Sequence, residues 1–100
     1  MVEISRPMIL RIGTPKVEKD IKKVHKLLAS AGYQKIEEGK YAHNAEPTLS
    51  ALLHLDTIRD QEGNPLEEVI ELILSDADSY VNQTIYNALA TVFPLELSNK

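Results

Sequence analysis

The side chains best able to do acid–base or metal chemistry are three histidines, His25, His43 and His54. Glu46 follows His43 by three residues and Asp56 follows His54 by two. If His43, Glu46, His54 and Asp56 converged, they could hold a metal ion or supply a base for hydrolysis. Their spacing does not match His-Glu-x-x-His or another pattern that sets ligands on one face of an element. Each histidine therefore reads first as structural or solvated. Asp56, Asp60, Glu62, Asn64 and Glu67 have the composition of a calcium loop, yet Gly63 is misplaced and Pro65 interrupts the spacing such a loop requires. The chain has no cysteine, which removes disulfides, thiolate nucleophiles and thiolate metal sites. Its four glycines are scattered singly, so no phosphate-cradling loop is present. The expectation is binding rather than catalysis, with no cofactor. A small hydrolase or metal-binding protein using His43 and His54 is the remote alternative.

A second kind of chemistry lies in the charge distribution. Residues 1–40 hold nine Lys/Arg and five Asp/Glu, whereas residues 41–100 hold two and ten. The chain is electrically two-ended. Lys16, Lys19, Lys22, Lys23 and Lys26 would share one arc of a helix, where five like charges are solvated, paired with a neighbour such as Glu18, or ready for an anionic partner. Nucleic acid is the runner-up partner on this ground. Against it stand the net charge of −4 and the scarcity of arginine, the residue best suited to bidentate phosphate and guanine contacts.

The elements that would position these groups follow from periodicity. Val17, Ile21, Val24, Leu28 and Ala31 define one face of a helix opened by Thr14-Pro15 and closed by Gly32. Before it, Met8, Ile9, Leu10 and Ile12 fit a short strand or a single helical turn. After it, alternation from Tyr33 and the Gly39-Lys40 step predict a hairpin running to His43. Thr48 to Arg59 reads as a helix through Leu49, Leu52, Leu55 and Ile58, or as a strand through Leu49, Ala51, Leu53 and Leu55; the helix is preferred.

The longest pattern runs from Asn64 to Phe93, where Leu66, Val69, Ile70, Ile73, Leu74, Ala77, Tyr80, Val81, Ile85, Ala88, Leu89 and Val92 recur at three and four. Asn64 suits an N-cap, Pro65 a first helical position and Glu67 the return bond of a capping box, while Pro94 stops the run. This predicts one bent amphipathic helix, or two abutting helices meeting at Ser75 to Ser79. Leu72, Tyr86 and Phe93 lie off the main arc and Leu89 on it; these four are the candidate interface. Residues 95–100 read as a tail.

The segment from Val24 through Tyr33, then Glu37 to Asn44, then Ser50 to Leu53, resembles the helix, wing and following helix of a winged-helix domain. It is most similar to the dimerisation domain of small-molecule O-methyltransferases, over about half the chain. Gly32, Gly39 and Tyr41 match the helix-ending glycine and the Gly-x-Tyr step of the wing. The catalytic methyltransferase domain has no counterpart here, so the resemblance implies a dimerising or DNA-docking module. In the second case the lysine arc would lie on the recognition helix.

The combined expectation is a mainly α protein with a small β-hairpin, winged-helix-like in its N-terminal half and ending in the long amphipathic segment. It would form one domain over 1–100, divided into a basic helix-and-hairpin region (1–47), an acidic helical region (48–94) and the tail. A hydrophobic content of 43% fills a small core, and association would supplement it. The expected role is therefore a protein-interaction or dimerisation module, homodimeric or bound to a protein partner. The DNA-binding regulator is the alternative. With no apolar run near the ~20 residues that span a bilayer and no signal-like start, a soluble cytoplasmic protein is expected.

Overall fold

The computed structural model describes residues 6–13 and 17–98. Strands account for 43% of them and helices for 30%, so the fold is α/β and not mainly α. In chain order the elements are β1 (Met8–Gly13), α1 (Val17–Ser30), β2 (Tyr33–Glu37), β3 (Lys40–His43), β4 (Ser50–Arg59), β5 (Pro65–Leu74), α2 (Tyr80–Val92) and β6 (Leu95–Ser98). All six strands join one sheet in the order β2-β3-β4-β5-β1-β6. Each strand pairing is antiparallel. No helix among the described residues is long and apolar enough to cross a membrane.

The helix 17–30 and the hairpin after it stand where their patterns place them. Thr14, Pro15 and Lys16, read as the helix start and the first lysine of the arc, lie outside the described residues. Gly32 follows α1 with φ +99°, the left-handed conformation a glycine adopts without steric cost. Gly39, at φ +76°, turns β2 into β3 and brings its carbonyl within 2.8 Å of the Leu53 amide. A Cβ at Gly39 would come within 2.7 Å of the Leu53 carbonyl oxygen, so both conformation and space demand glycine there.

The remaining predicted helices are corrected. Residues 48–59 supply strand β4, with Ala51 and Leu53 buried on one face and Leu52 and His54 exposed on the other. The Asn64–Phe93 spine is a ten-residue strand followed by a separate thirteen-residue helix. In β5, Val69-Ile-Glu-Leu-Ile-Leu74 is dense enough in apolar residues to satisfy periods of 3.6 and 2 alike. Strand pairing selects the second, burying Ile70, Leu72 and Leu74 completely on one face. Asn64 and Pro65 do not start a helix. Asp60 accepts the amides of Glu62 and Asn64 at 2.9 Å each, Gly63 has φ +86°, and Pro65 begins β5 opposite Arg59. These residues build the tip of the long β4–β5 hairpin. The predicted break at Ser75 to Ser79 exists, but it separates a strand from a helix: the Gln83 amide bonds to the Ser79 carbonyl at 2.9 Å as α2 begins. The expected tail at 95–100 contributes β6, which pairs with β1 from Leu95 to Ser98.

Both helices pack on one face of the sheet. Val24 and Leu28 of α1, with Ile85 and Leu89 of α2, meet Leu10, Ile12, Leu53, Ile70, Leu72 and Leu74 in a single core cluster. Burying each such aliphatic side chain is worth roughly 1.5–3 kcal/mol, which makes this face the main source of cohesion. A winged helix places a second helix after its turn; here α1 is followed directly by sheet, and the winged-helix-like arrangement expected of the N-terminal half is not the one adopted.

Candidate functional site

The three histidines occupy three different places. His43 sits at the end of β3, with its Nε2 2.7 Å from the Ala31 carbonyl oxygen. Because that oxygen can only accept, Nε2 carries the proton. Nδ1 then accepts from the Ala45 and Glu46 amides, both at 3.1 Å. With both ring nitrogens engaged, His43 fastens the C-terminus of α1 to the β3–β4 loop and has no lone pair left for a metal. Its ring also meets Tyr33 edge-on, centroids 5.1 Å apart. A Cβ at Gly32 would lie 2.7 Å from His43 Nε2, so the glycine and the histidine together form the helix terminus. No group of three or more metal-capable side chains occurs among the described residues, and His43, Glu46, His54 and Asp56 are not brought together.

His25 lies on α1 with Nδ1 2.8 Å from the Tyr41 hydroxyl. Burial, together with the Glu38 charge, pushes the Tyr41 phenol above its ordinary value, and Lys35 opposes the shift. The Tyr41 hydroxyl thus keeps its proton and shares one hydrogen bond with His25 Nδ1. The pair forms part of the wall of a cavity of about 640 Å³ between α1 and the β2–β4 part of the sheet. Leu53 and Tyr41, both buried, and half-exposed Leu55 give the cavity apolar surface. Lys22 and Lys26, one turn apart on α1, and Lys35 of β2 bring three ammonium groups to it. Glu38 receives a 2.9 Å bond from Lys35 and raises that ammonium above its ordinary value. Of the remaining lysine arc, Lys19 and Lys23 are exposed on α1, and Lys23 lies 3.9 Å from Asp20.

Among the described residues no helix lies on the opposite face of the sheet, and its residues fall into cross-strand rows. Ile9, Ile73 and Leu52 are register partners across β1, β5 and β4, with Lys40 beyond Leu52 on β3. The adjacent row reads Glu96, Arg11, Glu71, His54 across β6, β1, β5 and β4. Glu71, with its side chain 14% exposed, is held between Arg11 Nε at 3.4 Å and His54 Nε2 at 2.9 Å. Asp56 lies 3.8 Å from Arg11 on the same face. Beyond them come Val69, almost wholly buried, and half-buried Ile58. An antiparallel sheet can leave one face to water, but it then carries polar residues at alternate positions. Here an apolar row lies directly beside an ordered charged one.

The four residues expected as an interface in the C-terminal half lie in the core or against it. Leu72 and Leu89 are fully buried, Phe93 is 9% exposed, and all three belong to the core cluster. Tyr86 is half-buried against the same cluster. They hold the helix layer to the sheet and present no joint surface. Ile9, Leu52 and Ile73 stand in the apolar patterns of the sequence and Arg11 among its N-terminal basic residues, but nothing there marks the four as one face. The signal that could have found them is the period of two in β1, β4 and β5.

Fold and site together define a two-layer antiparallel α/β protein with a lysine-bearing groove beneath one helix and a half-apolar sheet face that carries no helix among the described residues. Compared with protein-family models, curated proteins and solved structures, the chain matches none. Nothing in those comparisons bears on the winged-helix resemblance.

Proposed function

We propose that this chain acts by binding, as a protein-interaction module whose open sheet face pairs with a second copy of itself. The observation that carries the reading is the row Ile9–Ile73–Leu52 set against the row Glu96–Arg11–Glu71–His54, on a face over which no helix lies among the described residues. Two-fold association suits such a face, because one patch meets its own image. The apolar rows would exclude water from each other, and rows of mixed sign would set Arg11 of one copy near a carboxylate of its partner. Arginine in place of lysine at that position fits an interface, since its planar guanidinium is more weakly hydrated. The histidines favour binding over catalysis for a concrete reason: His43 spends both nitrogens on backbone groups, while His54 is bonded to Glu71.

The test is sedimentation velocity of the full chain beside a Leu52→Glu, Ile73→Glu variant. Leu52 is 41% exposed and Ile73 half-buried on the open face, so the substitutions put charge on the face without entering the helix-side core. The parent should sediment as a dimer and the variant as a folded monomer with an unchanged far-ultraviolet circular dichroism spectrum. A parent that remains monomeric at high micromolar concentration would refute the reading.

A further inference from the structure

We infer that the groove between α1 and strands β2–β4 is a binding site for a small amphipathic carboxylate, an organic anion with an apolar body. This does not rest on the dimer, because the groove opens on the helix-bearing side of the sheet. Its volume of about 640 Å³ falls within the ~300–1,000 Å³ usual for sites that enclose small ligands. Its chemistry is divided in the way an amphipathic anion requires. Leu53, Leu55 and the Tyr41 ring offer apolar contact, whereas Lys22, Lys26 and Lys35 supply positive charge from two elements. Glu38 is the acidic side chain on this surface, and it is already bonded to Lys35.

The polar wall fits the same ligand class. The Tyr41 hydroxyl and His25 Nδ1, 2.8 Å apart, add a polar pair to the α1 side of the groove. A carboxylate near Lys22 and Lys26 would thus meet two ammonium groups on one helix beside this polar pair, with its apolar chain directed toward Leu53 and Leu55. A purely inorganic anion would make no use of the apolar surface, and a neutral alcohol would make no use of the lysines. The exposed Leu55, 48% accessible, is explained by the same occupant: it is the apolar residue an incoming chain would cover.

Amide chemical shifts of the isotope-labelled full chain, followed by NMR during titration with sodium octanoate, test this, with octan-1-ol and sodium acetate as comparators. Octanoate should shift the amides of Gly39, Leu53 and Leu55 saturably, and each comparator should bind more weakly. Three partly screened charges together are worth about a tenfold change in affinity, so Lys22→Glu, Lys26→Glu, Lys35→Glu should weaken octanoate by that factor or more. Leu55→Gln, which preserves every charge, should weaken octanoate while leaving acetate unchanged. Equal binding of octanoate and octan-1-ol, undiminished binding by the charge-reversed variant, or shifts that map onto Leu52 and Ile73 would overturn the proposal. So would a duplex DNA that moves the α1 amides when octanoate moves none.

Discussion

Asn82→Ala should cost about 2–3 kcal/mol of folding free energy, far more than a typical substitution on a helix of this length. Asn82 is fully buried in α2. Its Oδ1 accepts the Tyr33 hydroxyl at 2.6 Å, and its Nδ2 donates to the Asp76 carbonyl at 2.8 Å. One side chain therefore ties together β2, the β5–α2 connection and α2 itself. Truncating it orphans a phenol and a backbone carbonyl, and the lost desolvation compensation outweighs the lost packing of the carboxamide. Tyr33→Phe should cost less, because it removes one partner and keeps the ring packed. In urea titrations of both single variants and the double variant, the double should cost less than the sum of the singles, by about the cost of Tyr33→Phe alone. Additive effects would mean that the two groups do not act as a unit.

The same pair gives a pH signature. Burial is the main influence that pushes the Tyr33 phenol up to about 12, with the nearby Asp76 charge acting in the same direction. In the unfolded chain tyrosine titrates near 10. Above that pH the unfolded chain releases the proton while the folded chain keeps it, so alkali favours unfolding. Stability due to this group is complete below pH 10 and declines as pH rises toward 12. Thermal melts across pH 9–12 should show the decline in the parent and a smaller one in Tyr33→Phe. Parallel profiles would assign the alkaline loss to other groups.

How far the chain could be read without coordinates depended on whether its local signals were unambiguous. Around α1 they agreed: apolar residues at helical spacing, a glycine at the left-handed end, then strict alternation. In Val69 to Leu74 they did not, since five of the six residues are apolar and either periodicity places them inside. What decides is long-range pairing, with β5 lying between β4 and β1 in registers of nine and six residue pairs. Asn64-Pro65 is a related ambiguity, because the chemistry that caps a helix also turns a hairpin and starts a strand. The lysines of the groove were legible, but the groove was not. It exists only because β2, β3 and β4 pass beneath α1, and treating β4 as a helix removed its floor. His43 as a helix terminus was hidden for a different reason: its partners, Ala31 and Glu46, are set by the fold of a loop and not by any spacing.

Leu89→Ala should destabilise the fold by about 2–5 kcal/mol, the usual cost of emptying a fully enclosed leucine site, and should leave association unchanged wherever the variant is folded. Leu89 stands on α2 against a sheet face that includes Leu72, itself completely buried. The surrounding aliphatic side chains are fixed by two layers of backbone and can collapse only partly into the void. Leu72→Ala should behave alike from the sheet side, and because both residues belong to one cluster their costs should fall short of additive. Leu52→Glu with Ile73→Glu should show the converse, a change in sedimentation with little change in urea midpoint. The contrast separates two roles that apolar residues on the same strand perform, since Leu72 and Ile73 are neighbours in β5 yet point to opposite faces. If Leu89→Ala instead released monomers at full stability, the helix layer would be the interface, and the open sheet face would lose its assigned partner.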